Sequence, residues 1–148
     1  MSQIYKPSID QFAFSHEWIQ ERMLFIAGPR QVGKTTYALN KIKELGGSYF
    51  NWDDKKTREA YLKESSFFVK SSKENLLVVF DEIHKKKKWK DILKGIYDTH
   101  KSNYRFIITG SAKLDTFRRS GDSLVGRYFL THLFPISPAE LLKNKFGE

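Results

Sequence analysis

Short apolar runs at intervals along the chain place the strongest constraint on its fold. They lie at residues 23–27, 48–52, 76–80 and 106–109. Within them, apolar and aromatic residues follow one another without the alternation that is typical of a sheet with one wetted face. The pattern therefore predicts strands that are covered on both faces, as in a parallel sheet between layers of helices.

Segments with helical composition separate these predicted strands. They lie at residues 34–45, 55–70 and 89–100. A fifth strand is predicted at 127–134, ending at Pro135, because this stretch is rich in aromatic and β-branched residues. Two further helical starts are predicted at Ser8 and at 137–140. The alternation of strands and helices predicts an α/β sandwich with a ligand crevice at the carboxyl ends of the strands.

Composition narrows the classes of protein that fit. A length of 148 residues is typical of one domain, and a hydrophobic fraction of 40% predicts a buried core. The sequence contains no cysteine, which excludes disulfide frameworks and thiolate zinc sites, and the spacing of its 4 histidines predicts no protein-bound zinc. The apolar runs are too short to span a bilayer and the N-terminus does not resemble a secretory signal. We therefore expect a cytoplasmic protein without a membrane partner.

The segment that joins the first predicted strand to the first predicted helix is rich in glycine. Residues 28–35 read GPRQVGKT and match the pattern G-x-x-x-x-G-K-[ST]. Glycine lets successive N–H groups turn inward, and the helix that follows directs its positive end at the same point, so the segment predicts a phosphate-binding loop. The alternative is a glycine turn with an accidental GKT. The predicted nucleotide-binding residues are Gly28, Pro29, Arg30, Gln31, Val32, Gly33, Lys34, Thr35 and Thr36.

Five side chains in two segments have predicted chemical roles. The ammonium of Lys34 would bridge β- and γ-phosphate oxygens, Thr35 would bind Mg²⁺ through its hydroxyl, and Thr36 would reach the α-phosphate. Asp81 and Glu82 follow the third predicted strand, at the expected crevice. Asp81 would hold Mg²⁺ through its water shell, and Glu82 would orient the water that attacks the γ-phosphate. The alternative for both acids is a turn or cap at the end of a strand.

Five segments together resemble a known family. They read GPRQVGKTT at 28–36, VVFDEIHK at 78–85, FIITGSA at 106–112, SLVGRYF at 123–129 and LFPISPAELL at 133–142. Through them, residues 22–142 resemble AAA-type P-loop ATPases, in particular the N-terminal ATPase domain of bacterial and archaeal proteins in which an uncharacterised C-terminal domain follows. The resemblance implies a three-layer sandwich with a five-stranded parallel sheet in the order 5-1-4-3-2, and ATP with Mg²⁺ as ligands.

The resemblance also implies two further site residues. The end of the strand at 105–109 would carry a sensor for the γ-phosphate, and Ser111 matches the family's position more closely than Thr109 does. The alternative for Ser111 is a hydroxyl that caps the next helix. Arg127 matches an arginine that contacts phosphate in cis or across a subunit boundary, the second of which requires a homo-oligomer. The alternative for Arg127 is an ordinary surface arginine.

By the same resemblance the chain divides into a helical extension at 1–21, the ATPase core at 22–142 and a C-terminal end at 143–148. The resembling proteins continue into further domains, and AAA-type enzymes carry a helical lid that we do not expect within these 148 residues. We therefore expect either a fragment of a longer protein or a natural short version. The expected partner is either a separate protein or the missing C-terminal domain.

The net charge of +9 indicates an affinity for polyanions. Lysines at 85–88, followed by Trp89, have the composition of a nucleic-acid contact with a stacking residue, although a solvated lysine face is the alternative.

The favoured function is a Mg²⁺-dependent ATPase that couples hydrolysis to a conformational change. An ATP-gated module that binds DNA or a protein with little turnover is the second hypothesis. A small-molecule kinase is disfavoured, because Asp81 and Glu82 end a strand as in water-activating ATPases.

Overall fold

The computed structural model of the chain describes residues 21–70, 76–111, 114, 123–135, 138–139 and 142. Strands and helices alternate through these ranges, with one short 3-10 helix at Ile83–Lys85. The other elements are β1 (Met23–Ala27), α1 (Lys34–Leu45), β2 (Gly47–Asn51), α2 (Lys55–Lys63), β3 (Leu76–Asp81), α3 (Trp89–His100), β4 (Tyr104–Gly110) and β5 (Tyr128–His132). The predicted helix that begins at Ser8 lies outside the described residues.

The five strands form one sheet in the order β2-β3-β4-β1-β5. Every neighbouring pair is parallel. Read from the other edge this is the order 5-1-4-3-2, so the predicted topology is confirmed. Ala27 pairs with Gly110 and His132, and Asp81 pairs with Thr109. The carboxyl ends of all five strands therefore lie along the same edge of the sheet.

Helices cover both faces of the sheet, which explains the unbroken apolarity of the strands. Alternate residues of β1 point to opposite faces, because the side chains of a strand alternate with a period of two. Phe25 belongs to a cluster with Leu93 and Ile96 of α3, whereas Ile26 belongs to a second cluster with Tyr37 of α1. The predicted three-layer α/β arrangement is confirmed.

Helix α2 is shorter than the sequence predicts. It ends at Lys63 rather than at residue 70, and Glu64 has an extended backbone with φ −152° and ψ 123°. The chain then turns so that Phe68, 1% exposed, packs edge-on against the ring of Phe80 at a centroid distance of 5.7 Å. Burial of this phenylalanine outweighs the weak intrinsic preference of the segment for a longer helix.

No helix in the described part of the chain has both the length and the hydropathy that crossing a bilayer requires.

Candidate functional site

The loop between β1 and α1 needs glycine at two positions for two different reasons. A Cβ on Gly28 would lie 2.4 Å from the carbonyl oxygen of Leu133, which is held there because the Leu133 N–H donates to the Ala27 carbonyl at 2.8 Å. Gly33 has a φ of 96°, a left-handed conformation that favours glycine. Gly33 is the N-cap of α1, and because it has no side chain it does not occupy the N–H groups of the first turn. The N–H groups of that turn therefore lie at the end of the loop, which suits an anion.

Lys34 folds back over this loop. Its Nζ donates to the carbonyl oxygens of Gly28 at 2.8 Å and Pro29 at 2.5 Å, and the residue is only 8% exposed. Burial lowers the pKa of Lys34, while the carboxylates of Glu82 and Asp81 act in the opposite direction. The structure thus places a buried ammonium inside the loop that the sequence predicts to bind phosphate.

Asp81 accepts hydrogen bonds from three hydroxyl groups on three different elements. Thr109 of β4 donates to Oδ1 at 2.7 Å, and Thr35 of α1 donates to Oδ2 at 3.0 Å. Tyr49 of β2 donates to the same Oδ2 at 2.5 Å. The structure therefore brings together Thr35 and Asp81, the two residues that the sequence predicts to bind a metal. A hydroxyl and a carboxylate are the type of oxygen ligand that Mg²⁺ prefers.

Tyr49 is the site residue that the sequence analysis missed, because it lies in an apolar run without a motif. It pairs with Val79, two residues before Asp81, so the alternation of side chains turns Tyr49 and Asp81 to the same face of the sheet. That register is the signal that could have revealed it. Burial foremost, and then the hydrogen bond to Asp81, raise the pKa of the Tyr49 phenol well above its ordinary value, which keeps the hydroxyl protonated as a donor.

Glu82 lies beside the loop in an uncommon backbone conformation. Its φ of 61° and ψ of 22° are left-handed, and its N–H donates to the Thr109 carbonyl at 2.9 Å. Such a conformation costs on the order of 1 kcal/mol for a residue with a side chain and is enriched at functional sites. The carboxylate is partly exposed, with Oε2 at 3.4 Å from His84 Nε2 and 3.5 Å from Lys85 Nζ. The Nζ of Lys85 also donates to Oδ1 of Asp53 at 2.6 Å, and this hydrogen bond is the foremost cause of the raised pKa of Lys85.

Ser111 directly follows β4, between the ends of β1 and β3, and is half-buried. The structure thus brings it to the same edge as the loop and the two acids. Thr109, the other polar residue considered there, is fully buried and directs its hydroxyl at Asp81.

Arg127 is not brought to the loop of its own chain. It precedes β5, and Tyr128 pairs with Met23 at the amino end of β1. At about 3.3 Å per residue, a five-residue strand such as β1 separates the amino ends of the strands from their carboxyl ends by roughly 16 Å. The guanidinium instead forms a two-point ion pair with Asp98, with Nε to Oδ1 at 2.8 Å and Nη2 to Oδ2 at 3.1 Å. This position does not support a contact in cis, and it leaves open both a contact across a subunit boundary and an ordinary surface arginine.

Comparison with known proteins agrees with this fold. The model of the AAA domain family matches residues 20–142. Protein MJ1637 of Methanocaldococcus jannaschii, described as uncharacterized, is 28% identical over 152 residues, which cover 94% of this chain and 31% of that protein. The chain thus spans about a third of the length of this relative. The family match extends over most of the chain and coincides with a five-stranded parallel P-loop sandwich, so the chain belongs to the AAA domain family.

Proposed function

We propose that this chain binds ATP together with Mg²⁺ and hydrolyses the nucleotide, and that the change of nucleotide state drives a conformational change. The observation that carries the proposal is the meeting of Thr35 and Asp81. Their oxygens lie 3.0 Å apart although 46 residues separate them in the sequence, and both border a glycine-dependent loop that holds a buried lysine. This combination is what a polyphosphate with a divalent cation requires.

Phosphate binding would use the loop backbone and Lys34. The N–H groups that begin α1 point towards the loop, and the ammonium of Lys34 needs only to exchange the carbonyls of Gly28 and Pro29 for phosphate oxygens. An anionic phosphate compensates a buried ammonium better than two neutral carbonyls do, because a charge-assisted hydrogen bond is the stronger contact. The lysine is therefore already within reach of its proposed ligand.

The metal would be held by Thr35 directly and by Asp81 through water. Mg²⁺ neutralises the charge that develops between the β- and γ-phosphates. Thr109 and Tyr49 keep the carboxylate of Asp81 turned towards the loop, on a residue that is 5% exposed.

Glu82 would orient the attacking water, and Ser111 would contact the γ-phosphate. Both lie at the carboxyl edge of the sheet, next to the loop. The contacts of Glu82 with His84 and Lys85 mean that its carboxylate has to turn before it can reach a water on the γ-phosphate. That rearrangement is the first step of the proposed coupling between nucleotide and conformation.

An ATP-gated module that binds nucleic acid is the second candidate. Lys85, the first lysine of the basic run at 85–88, contacts both Asp53 and Glu82, so the run is connected physically to the proposed catalytic acid. Lys87 and Lys88 are exposed next to it. Phosphate groups on this surface would compete for Lys85 and thereby act on Glu82.

Phosphate release from ATP and Mg²⁺ tests the two candidates. We expect wild type to release phosphate, Lys34→Ala to lose nucleotide binding, and Glu82→Gln to bind nucleotide without turnover. Lys43→Ala is the matched control, because Lys43 is an exposed lysine in the last turn of the same helix. Each protein is measured with and without single- and double-stranded DNA. Absence of turnover in every condition contradicts the ATPase proposal, and DNA binding that depends on ATP then supports the second candidate.

A further inference from the structure

The tyrosine beside Asp81 has a position that its packing alone does not explain. Tyr49 lies on β2, an edge strand of the sheet, and its ring packs against the apolar cluster under α1. Its hydroxyl reaches beyond that cluster to Asp81 Oδ2 at 2.5 Å. A phenylalanine would provide the same apolar contact, so the hydroxyl must be accounted for by what it does to the carboxylate.

The carboxylate of Asp81 is held at both of its oxygens. Thr109 donates to Oδ1, whereas Thr35 and Tyr49 share Oδ2. The three donors are not equivalent, because Thr35 is the proposed metal ligand. A cation bound through a lone pair of the Thr35 oxygen would also influence how that hydroxyl is oriented, whereas Tyr49 has no proposed metal contact. Tyr49 is thus the donor to Oδ2 whose position does not depend on the metal.

We infer that Tyr49 is a positioning residue that orients the carboxylate of Asp81 towards the metal ion of a bound Mg²⁺-nucleotide. The inference rests on the proposed function, because it gives the hydroxyl a role only if a metal binds at Thr35 and Asp81. The hydroxyl is carried by a strand with a packed ring and not by a mobile loop, and such supports hold a ligand most accurately. Hydrogen-bond partners in the outer shell of a metal site typically contribute a factor of roughly 10 to 100 in metal affinity.

The test is a binding measurement that needs no turnover. A fluorescent ATP analogue is titrated with Mg²⁺ on wild type and on Tyr49→Phe, and the Mg²⁺ concentration at half-maximal binding is compared. We expect Tyr49→Phe to raise that concentration roughly tenfold. In EDTA, the weaker affinity for the analogue alone should be the same for both proteins, since the loop and Lys34 are unchanged.

Tyr97→Phe is the matched control. It removes another partly buried tyrosine hydroxyl, which donates to the Glu21 carbonyl at 2.5 Å near the opposite edge of the sheet. We expect it to leave the Mg²⁺ dependence unchanged. Melting temperatures of all variants confirm that they fold. In an Asp81→Asn background, Tyr49→Phe should have no further effect on the Mg²⁺ dependence.

Each outcome supports or overturns a distinct statement. If wild type does not bind the analogue with Mg²⁺, the proposed function fails and this inference fails with it. If wild type binds and Tyr49→Phe has the same Mg²⁺ dependence, the inference alone is overturned. A loss of equal size in EDTA, or an equal shift in Tyr97→Phe, also overturns it, because either result shows a general structural effect.

Discussion

Lys85 holds Glu82 from one side: its Nζ lies 3.5 Å from Oε2 of the glutamate and 2.6 Å from Asp53. Glu82 is the residue proposed to turn and orient the attacking water, so in that proposal this ion pair restrains the group that moves. The restraint is modest, because Lys85 is largely exposed and water screens the interaction.

Removal of this restraint should raise turnover. An exposed ion pair contributes up to about 1 kcal/mol, so we expect Lys85→Ala to increase kcat by at most about fivefold. Lys87→Ala is the control, since it removes an exposed lysine of the same basic run. Steady-state phosphate release measures both. A fall in kcat for Lys85→Ala would show instead that the lysine helps to place Glu82 correctly.

Substitution by alanine should have opposite effects on stability at Gly28 and at Gly95. A Cβ on Gly28 would collide with the Leu133 carbonyl, so Gly28→Ala has to displace backbone and should destabilise the fold by about 1–3 kcal/mol and weaken nucleotide binding. A Cβ on Gly95, within α3, meets no atom of the described residues within 4 Å. Gly95→Ala should therefore stabilise the protein by about 0.5–1 kcal/mol. Denaturant unfolding measures both, and equal effects of the two changes would contradict the close approach at Gly28.

The ion pair of Arg127 with Asp98 should give a pH-dependent contribution to stability. The hydrogen bond from Arg127 holds the pKa of Asp98 below its usual value of 3.8. Because the folded-state pKa is the lower one, the contribution is fully present above about that usual value and is lost as the pH falls through the lowered pKa.

Thermal unfolding of Arg127→Gln across this range is the measurement. The variant should be slightly less stable than wild type at pH 7, and the difference should disappear in acid. Nucleotide binding should not change, since Arg127 lies at the far edge of the sheet from the loop. A loss of binding by monomeric Arg127→Gln would disagree with that position.

The turn that ends α2 depends on one aromatic residue. Phe68 is buried among the rings of Phe80, Tyr104 and Phe106. Phe68→Ala should destabilise the protein by about 3–5 kcal/mol through lost burial and a residual cavity. Leu62→Ala, in an exposed position of α2, should change stability by less than about 0.5 kcal/mol. Chemical denaturation of the two variants checks the contrast, which would vanish if α2 continued to residue 70.

The strands were predicted because apolar runs are local patterns, and Thr35 and Asp81 were assigned to one metal because each lies in a short motif. The sheet order depends on pairings between distant strands and was predicted only through the family resemblance. The predicted end of α2 was wrong because burial of Phe68 in an aromatic cluster, formed with residues distant in the sequence, ends the helix earlier. Tyr49 was missed because its role appears only once β2 and β3 are in register.

Arg127 shows how the topology narrows a role that a motif leaves open. The predicted strand at 127–134 already placed this residue at the amino end of a parallel strand, opposite the crevice. The resemblance left a contact in cis and a contact across a subunit boundary open, and the predicted topology already opposed the first of these. A residue's place along its strand is thus a stronger guide to its partners than a motif match alone.

The contact between Gly28 and Leu133 joins the start of the phosphate loop to the chain that leaves β5. The Leu133 N–H donates to the Ala27 carbonyl at 2.8 Å, and the Leu133 carbonyl approaches Gly28 so closely that a Cβ there would lie 2.4 Å from its oxygen. Exposed Phe134 follows immediately. We therefore expect a displacement of the phosphate loop on nucleotide binding to be transmitted through this contact to residues 133–135.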